Sequence, residues 1–383
     1  MTEAFITATA AVLPNAPVDN ESIETILGRI GNKPSRARPI VLRQNGIKSR
    51  HYAIDPASGL PTHTNASLTA EAIRALAQDS GFALDSLRCL AAGTSIPDQI
   101  VPGHGIMVHG ELGSNGACEV ISTAGVCMSG LTALKYAWLA VKGGEAENAV
   151  ATGSELTSAI LRAEYFSEEN AARVAALEAQ PSIAFEKDFL RWMLSDGAGA
   201  FLIEPRPRAG QTNLRIDWIE LFSAAHRLPV CMYMGGDRNP DGTLAGWARF
   251  PPKQWAEKSI FALKQDVKLL DRHIVEATLE TPLSSLIARR ALKAEEIDWF
   301  LPHLSSHYFR QPGAEALARL GLPIPFERWF TNLETKGNTG SASIYIMIDE
   351  LRRSGRLTAG KRLLCFVPES GRFSGGFMHL TVV

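Results

Sequence analysis

The chain has 383 residues, 45% of them hydrophobic and 21% charged, with a formal net charge of −1. That balance fits a globular protein with ample length for a large core, and it excludes a global affinity for nucleic acid or an anionic membrane. The five cysteines, Cys89, Cys118, Cys127, Cys231 and Cys365, are odd in number and lack any C-x-x-C spacing, which argues against a disulfide scaffold and a zinc site and fits a reducing compartment.

At the N-terminus, "MTEAFITATAAVLPN" carries an acid where a signal peptide needs positive charge, and Pro14 cuts its apolar run short. No apolar stretch approaches the roughly 20 residues that span a bilayer. A cytoplasmic location is expected. Further along, "LTAEAIRALAQDSG" has the periodicity of an amphipathic helix. Then "LRCLAAGTS", "NAVATGSE" and "GAGAFLIEP" read as buried strands, each a short apolar run closed by Gly, Ser or Pro. A second helix, "PLSSLIARRALKAEEI", precedes two more strands, "IDWFLPH" and "RLLCFVPES". Helix and strand in alternation predict an α/β, layered architecture. Two stretches are irregular. Residues 162–190 read as a charged helix plus a connector, and 223–258 as a Gly-, Pro- and Met-rich, lid-like loop.

A long-range repeat runs through this order. From Cys127 the chain passes through a helix of small and apolar residues, a basic Gly turn and a strand ending "ATGSE". From Asn338 it does the same, through "NTGSASIYIMIDEL" and "RRSGRLTAGK" to "RLLCFVPES". The expected organisation is two related halves, 1–205 and 206–383, each with a helix buried against its own sheet.

Three residues carry candidate chemistry, two of them at the starts of the repeated segments. Cys127 stands between "STAGV" and a helix beginning at about Met128 whose only charge before Val141 is Lys135. A buried helix there presents unpaired N–H groups and the positive end of its dipole to the thiol, an arrangement expected to lower its pKa and favour the nucleophilic thiolate. The bland alternative is a cysteine that merely packs in a core. His303 follows Pro302 at a strand end, where catalytic groups collect in layered α/β folds, although a lone histidine more often packs or caps. Asn338 sits before the second buried helix, where an N-cap asparagine competes with a catalytic one. "SDGAGAF" precedes a strand rather than opening a helix, so it reads as tight sheet packing and not a nucleotide loop.

Taken together, "TAGVCMSG", "SDGAGAFLI", "IDWFLPHLSS", "KGNTGSASI" and "GRLTAGKRLLCFVPESG" resemble β-ketoacyl-ACP synthase III and its relatives of the thiolase fold, in order and relative spacing. "RQNGIKSRHYA" resembles that family's early T-G-I-x-x-R segment. The resemblance implies a duplicated, five-layered α-β-α-β-α fold with two buried central helices, usually as a homodimer. It places the family's acyl-accepting nucleophile on Cys127, with His303 and Asn338 holding the second thioester's carbonyl as its enolate forms. The backbone N–H groups of Cys127 and Gly371 would make the oxyanion hole. It implies acyl carrier protein and acyl thioesters as partners, and no metal or bound cofactor.

The chain departs from the family pattern in ways that bear on substrate. Leu304, Ser305 and Ser306 follow His303 where the family reads Gln-Ala-Asn, and the C-terminal turn is "ESGRFSGG" rather than a run of glycines. No tryptophan precedes Trp138, so the residue that stacks on coenzyme A adenine in many members has no counterpart. These changes resemble the ketosynthases that form dialkylresorcinols and cyclohexanediones in secondary metabolism. The competing readings are an ordinary initiation synthase using acetyl-CoA and malonyl carrier, and a non-catalytic thiolase-fold partner subunit. A papain-like protease shares the order Cys, His, Asn, but its C-G-S-C-W motif is absent.

Overall fold

The computed structural model describes residues 2–30, 34–35, 38–113, 116–166 and 189–383. Most of the irregular stretch 162–190 therefore lies outside the described residues.

Nine strands form one sheet: β1 (Phe5–Val12), β2 (Cys89–Thr94), β3 (Glu119–Ala124), β4 (Ala149–Glu155), β5 (Gly197–Glu204), β6 (Leu214–Ser223), β7 (Trp299–Pro302), β8 (Arg362–Glu369) and β9 (Ser374–Val382). Their spatial order is β7-β8-β9-β6-β1-β5-β4-β2-β3. The two halves meet between β1 and β6 through only two residue pairs, Phe5 with Arg215 and Ile6 with Leu214. On one side, β1, β5 and β4 run antiparallel in turn, and β4, β2 and β3 run parallel. On the other side, β6, β9 and β8 are antiparallel and β8 and β7 parallel. Where β3 would have its counterpart, a single parallel bridge joins Phe300 to Trp329. The repeat is thus one of topology and strand direction, with the fifth strand of the second half reduced to one residue pair.

Strand alternation builds the layers. Cys89, Ala91, Leu363, Cys365 and Val367 point to one face, into a single core with the helices α3 (Ser129–Gly143) and α7 (Ser343–Arg353). Leu90, Leu364 and Phe366 point the other way. There Leu90 meets α1 (Asn65–Ser80) and α2 (His104–Leu112), while Leu364 and Phe366 meet the end of α4 (Val267–Val275), α5 (Thr281–Arg290) and α6 (Arg310–Arg319). The result is the expected helix-sheet-helix-sheet-helix stack, its two sheet layers being the two halves of the one sheet, joined edge to edge through β1 and β6. One detail differs from expectation: α3 and α7 share one core between both sheets, rather than each lying on its own. Gly199 in "SDGAGAF" explains itself here, because a Cβ at that position would come within 2.3 Å of the Tyr345 Cβ on α7.

Helix ends follow local chemistry. Thr64 and Ser67 form a reciprocal capping box at the start of α1, and Gly81 closes the helix in a left-handed conformation. The second predicted helix is shorter than its pattern. It stops at Ala291, which takes φ 49° without a glycine to announce it. The lid-like loop holds several short elements, including Met232–Tyr233, which pairs with Lys264–Gln265. Among the described residues, no helix is long and apolar enough to cross a membrane.

Candidate active site

The structure brings Cys127, His303 and Asn338 to the walls of two adjoining cavities. Cys127 opens into both. His303 lines the first, which is walled by apolar side chains such as Leu270, Ile274, Leu279, Phe300 and Trp329. Asn338 lines the second, together with Glu155, Thr157, Met232 and Tyr233. Ser305 and Ser370 stand with Cys127 at the junction.

Cys127 lies in the turn between β3 and α3, whose first helical residue is Ser129. The unpaired helix-start donors are where the sequence places them, but another group has claimed them. Glu369, the last residue of β8, accepts hydrogen bonds from the N–H groups of Val126 at 2.9 Å and Met128 at 3.1 Å. The thiol pKa is consequently raised well above its ordinary value, not lowered. Burial is the main cause, and the negative charges of Glu369 and Glu155 add to it. The expectation from the helix dipole is overturned because burial of the thiol, reinforced by the two carboxylates, outweighs the pull of the helix start. At rest the nucleophile candidate is a thiol.

His303 follows β7 directly, and its backbone N–H donates to the Phe366 carbonyl at 2.8 Å. The ring is 1% exposed, and neither nitrogen has a hydrogen-bond partner among the described residues. Burial pushes its pKa down to about 4, so the imidazole is neutral near pH 7. A neutral, unpartnered ring can donate one N–H to a substrate oxygen.

Asn338 is held by backbone on both sides. Its N–H donates to the Met193 carbonyl at 2.9 Å, and its carbonyl accepts from Ser195 N–H at 2.9 Å. Its Oδ1 accepts from Gly340 N–H at 2.9 Å, a local turn that fixes the side chain by its oxygen; Asn338 is not the helix N-cap weighed from sequence, since Thr339 and Ala342 hold those positions. The amide nitrogen takes no protein acceptor among the described residues, and the residue faces the cavity. His303 thus offers its donor to the first cavity and Asn338 to the second, and Cys127 opens into both. Gly371 lies close by: a Cβ there would come within 3.1 Å of Val126 Cγ2. Its carbonyl accepts from Cys231 and Met232, which leaves its N–H as the oxyanion candidate.

Sequence reasoning missed Glu155 and Glu369. Glu155 is 1% exposed; its carboxylate accepts from Ser95 Oγ at 2.5 Å and from Ser341 N–H at 3.0 Å. Burial pushes its pKa up to about 7. The available signal was the glutamate that ends both repeat strands, "ATGSE" and "FVPES".

Residues 87–209 match the family model described as β-ketoacyl synthase, N-terminal domain, and residues 287–378 match that of the 3-oxoacyl-[acyl-carrier-protein] synthase III C terminal. The β-ketoacyl-[acyl-carrier-protein] synthase III of Xanthomonas oryzae pv. oryzae is 25% identical over 374 residues, covering 97% of this chain and 95% of the relative. This chain is a β-ketoacyl synthase III-like condensing enzyme. As an acyltransferase of this kind, it forms a carbon–carbon bond by Claisen-type condensation of acyl thioesters. Two solved structures resemble the condensing enzyme in fold over almost its whole length. The tetronic acid condensing enzyme AbyA1 superposes with a TM-score of 0.75 at 20% identity, covering 99% of both chains. OleA of Xanthomonas campestris, solved with lauric acid and lauroyl-CoA, gives 0.73 at 17%, also covering 99% of both.

Proposed function

We propose that this condensing enzyme joins two carrier-bound acyl units, at least one of them a β-ketoacyl chain longer than malonyl, in a secondary-metabolic pathway of the dialkylresorcinol kind. The observation that carries this reading is the pair of cavities meeting at Cys127, since one apolar cavity and one mixed cavity offer separate housing for two chains. Residues outside the usual family pattern build those walls. Leu304 and Ser305 line the apolar cavity where the family has Gln and Ala. Met232, Tyr233 and Met234 of the lid-like loop, with Leu190 at the end of the first irregular stretch and Met193 and Leu194 just after it, line the other. The absent coenzyme A-stacking tryptophan also favours carrier-bound donors.

In the proposed cycle, Cys127 takes the first acyl group from its carrier. The N–H groups of Cys127 and Gly371 hold the oxyanion of that transfer. Neutral His303 and the Asn338 amide then donate to the thioester oxygen of the second substrate and stabilise its enolate. Homodimerisation is supported by β3. It is the edge strand of the sheet, partly exposed along its length, with half-exposed Leu139 of α3 near it. Such an edge is a template for pairing with a second copy.

A competition assay tests the substrate reading. Acetyl-CoA with malonyl carrier protein is offered against medium-chain acyl and β-ketoacyl carriers. Preferential formation of acetoacetyl carrier would establish the initiation synthase instead.

A further inference from the structure

We propose that Glu155 is the general base of the condensation, taking the C2 proton of a β-ketoacyl thioester and passing it to the departing Cys127 sulfur. This deepens the substrate reading above and rests on it. A malonyl donor forms its carbanion by losing carbon dioxide and needs no base. A β-ketoacyl donor that keeps its carboxyl thioester loses nothing, so a C–H bond must be broken by some group in the site.

The described residues offer few such groups. His303 is neutral but takes a proton only near pH 4, and in the proposed cycle its N–H is already engaged with the thioester oxygen of the same donor. Glu369 spends one carboxylate oxygen on two backbone donors and stands behind Cys127. Tyr233 lines the same cavity as Glu155 but offers a phenol. Glu155 shares a cavity wall with Cys127 and Asn338. Its orientation is fixed at both oxygens, by Ser95 Oγ and by Ser341 N–H, and each oxygen keeps a second lone pair. Gly340 holds the carboxylate's flank open: a Cβ there would fall 2.8 Å from Glu155 Oε1, and φ 50° disfavours one in any case. A carboxylate with pKa about 7 is matched to proton transfer near neutral pH.

The step balances without a further reactant. The C2–H bond breaks and its proton goes to the Glu155 carboxylate. The freed electron pair forms the new carbon–carbon bond to the acyl carbonyl on Cys127. As the tetrahedral intermediate collapses, the carbon–sulfur bond breaks, and Glu155 returns its proton to the thiolate. The enzyme ends as it began, with a thiol and a carboxylate.

The test is single-turnover consumption of octanoyl-Cys127, monitored by intact mass, with 3-oxooctanoyl or malonyl carried on an acyl carrier protein. Wild type, Glu155→Gln and Glu155→Asp are compared, and formation of the octanoyl adduct reports that each is folded. We expect the loss in Glu155→Gln to be on the order of 10² larger with the 3-oxooctanoyl donor than with malonyl. Glu155→Asp should recover part of it. An equal loss with both donors would show a structural role and overturn the proposal, as would an undiminished 3-oxooctanoyl rate. A wild-type enzyme that consumes malonyl but no 3-oxooctanoyl donor would instead sink the substrate reading, and this inference with it.

Discussion

Glu155 and Glu369 occupy the same place in the two halves, and each accepts hydrogen bonds from the start of the other half's buried helix. Glu155 ends β4 and takes the N–H of Ser341, in the turn that leads into α7. Glu369 ends β8 and takes the N–H groups of Val126 and Met128, at the entry to α3. The packing is crossed in the same way, with Gly340 against Glu155 and Gly125 against Glu369. Cys127 therefore sits between two carboxylates, Glu155 buried and Glu369 half-buried, and the predictions for the thiol rest on that setting.

The acyl group should be found on Cys127. Peptide mapping after incubation with acyl-carrier thioesters should show one adduct, lost in Cys127→Ala. Label on Cys89, Cys118, Cys231 or Cys365 would refute the assignment.

His303→Ala and Asn338→Ala should still acquire an acyl group but condense on the order of 10²–10³ more slowly, since each removes one donor to developing enolate charge. Intact mass separates the two half-reactions. Equal loss of acylation and condensation would contradict this division of labour.

Glu369→Gln should lower the Cys127 thiol pKa, because one of the charges that raises it is gone while a hydrogen-bond acceptor for the helix start remains. At pH 7 the variant should be alkylated by iodoacetamide faster than wild type, with the other four cysteines blocked by substitution. An unchanged or slower rate would show that the Glu369 charge does not help to set the thiol.

Stability should fall with acid partly through His303 and His104, both buried and both with pKa pushed down to about 4. Between about pH 6.5 and 4 the unfolded chain takes up protons that the folded rings refuse, so stability rises with pH across that window and is lost as pH falls. From pH 7 to pH 5 each ring accounts for about 2 kcal/mol. Urea midpoints at the two pH values should therefore differ less in His303→Asn than in wild type. Glu155 has the opposite sign: its raised pKa makes it a contribution that is lost as pH climbs through about 7.

Gly153→Ala should destabilise by about 1–3 kcal/mol, the usual range for forcing a methyl into a packed core. Its Cβ would come within 2.2 Å of the Ser341 carbonyl oxygen. The same push would move the turn that carries Asn338, so condensation should fall more than acylation. A variant with wild-type melting and turnover would show the turn to be more yielding than its packing implies.

What could be read from the chain divides along contact range. The strands and the helix after Cys127 were legible because their apolar runs are local and nearly free of charge, whereas the second buried helix, which carries Asp349, Glu350, Arg352 and Arg353, was legible through its place in the repeat. Cys127, His303 and Asn338 were legible as positions because each sits at a strand end or a helix entry, and the family resemblance singled them out. The sign of the thiol's pKa was not. It depends first on how deeply the fold buries Cys127 and then on the carboxylates of Glu369 and Glu155, and no local pattern brings Glu369, more than two hundred positions away, to Met128. Glu155 escaped for the same reason: "ATGSE" looks like an ordinary strand closing on a polar residue until Ser341 and Ser95 are seen around it. The shortened helix at Ala291 escaped because alanine gives no warning of a left-handed turn.

The exchange of contacts between Glu155 and Glu369 makes each half the custodian of the other's reactive end. Cut at the seam between Glu204 and Leu214, either piece would keep its terminal glutamate but lose the amides that hold it. Those amides would in turn lose their acceptor. Shuffling halves between relatives is therefore not a modular operation. A chimera must inherit the strand-end glutamate of one parent together with the facing helix entry, or it will carry a correctly folded sheet with its thiol in the wrong electrical setting.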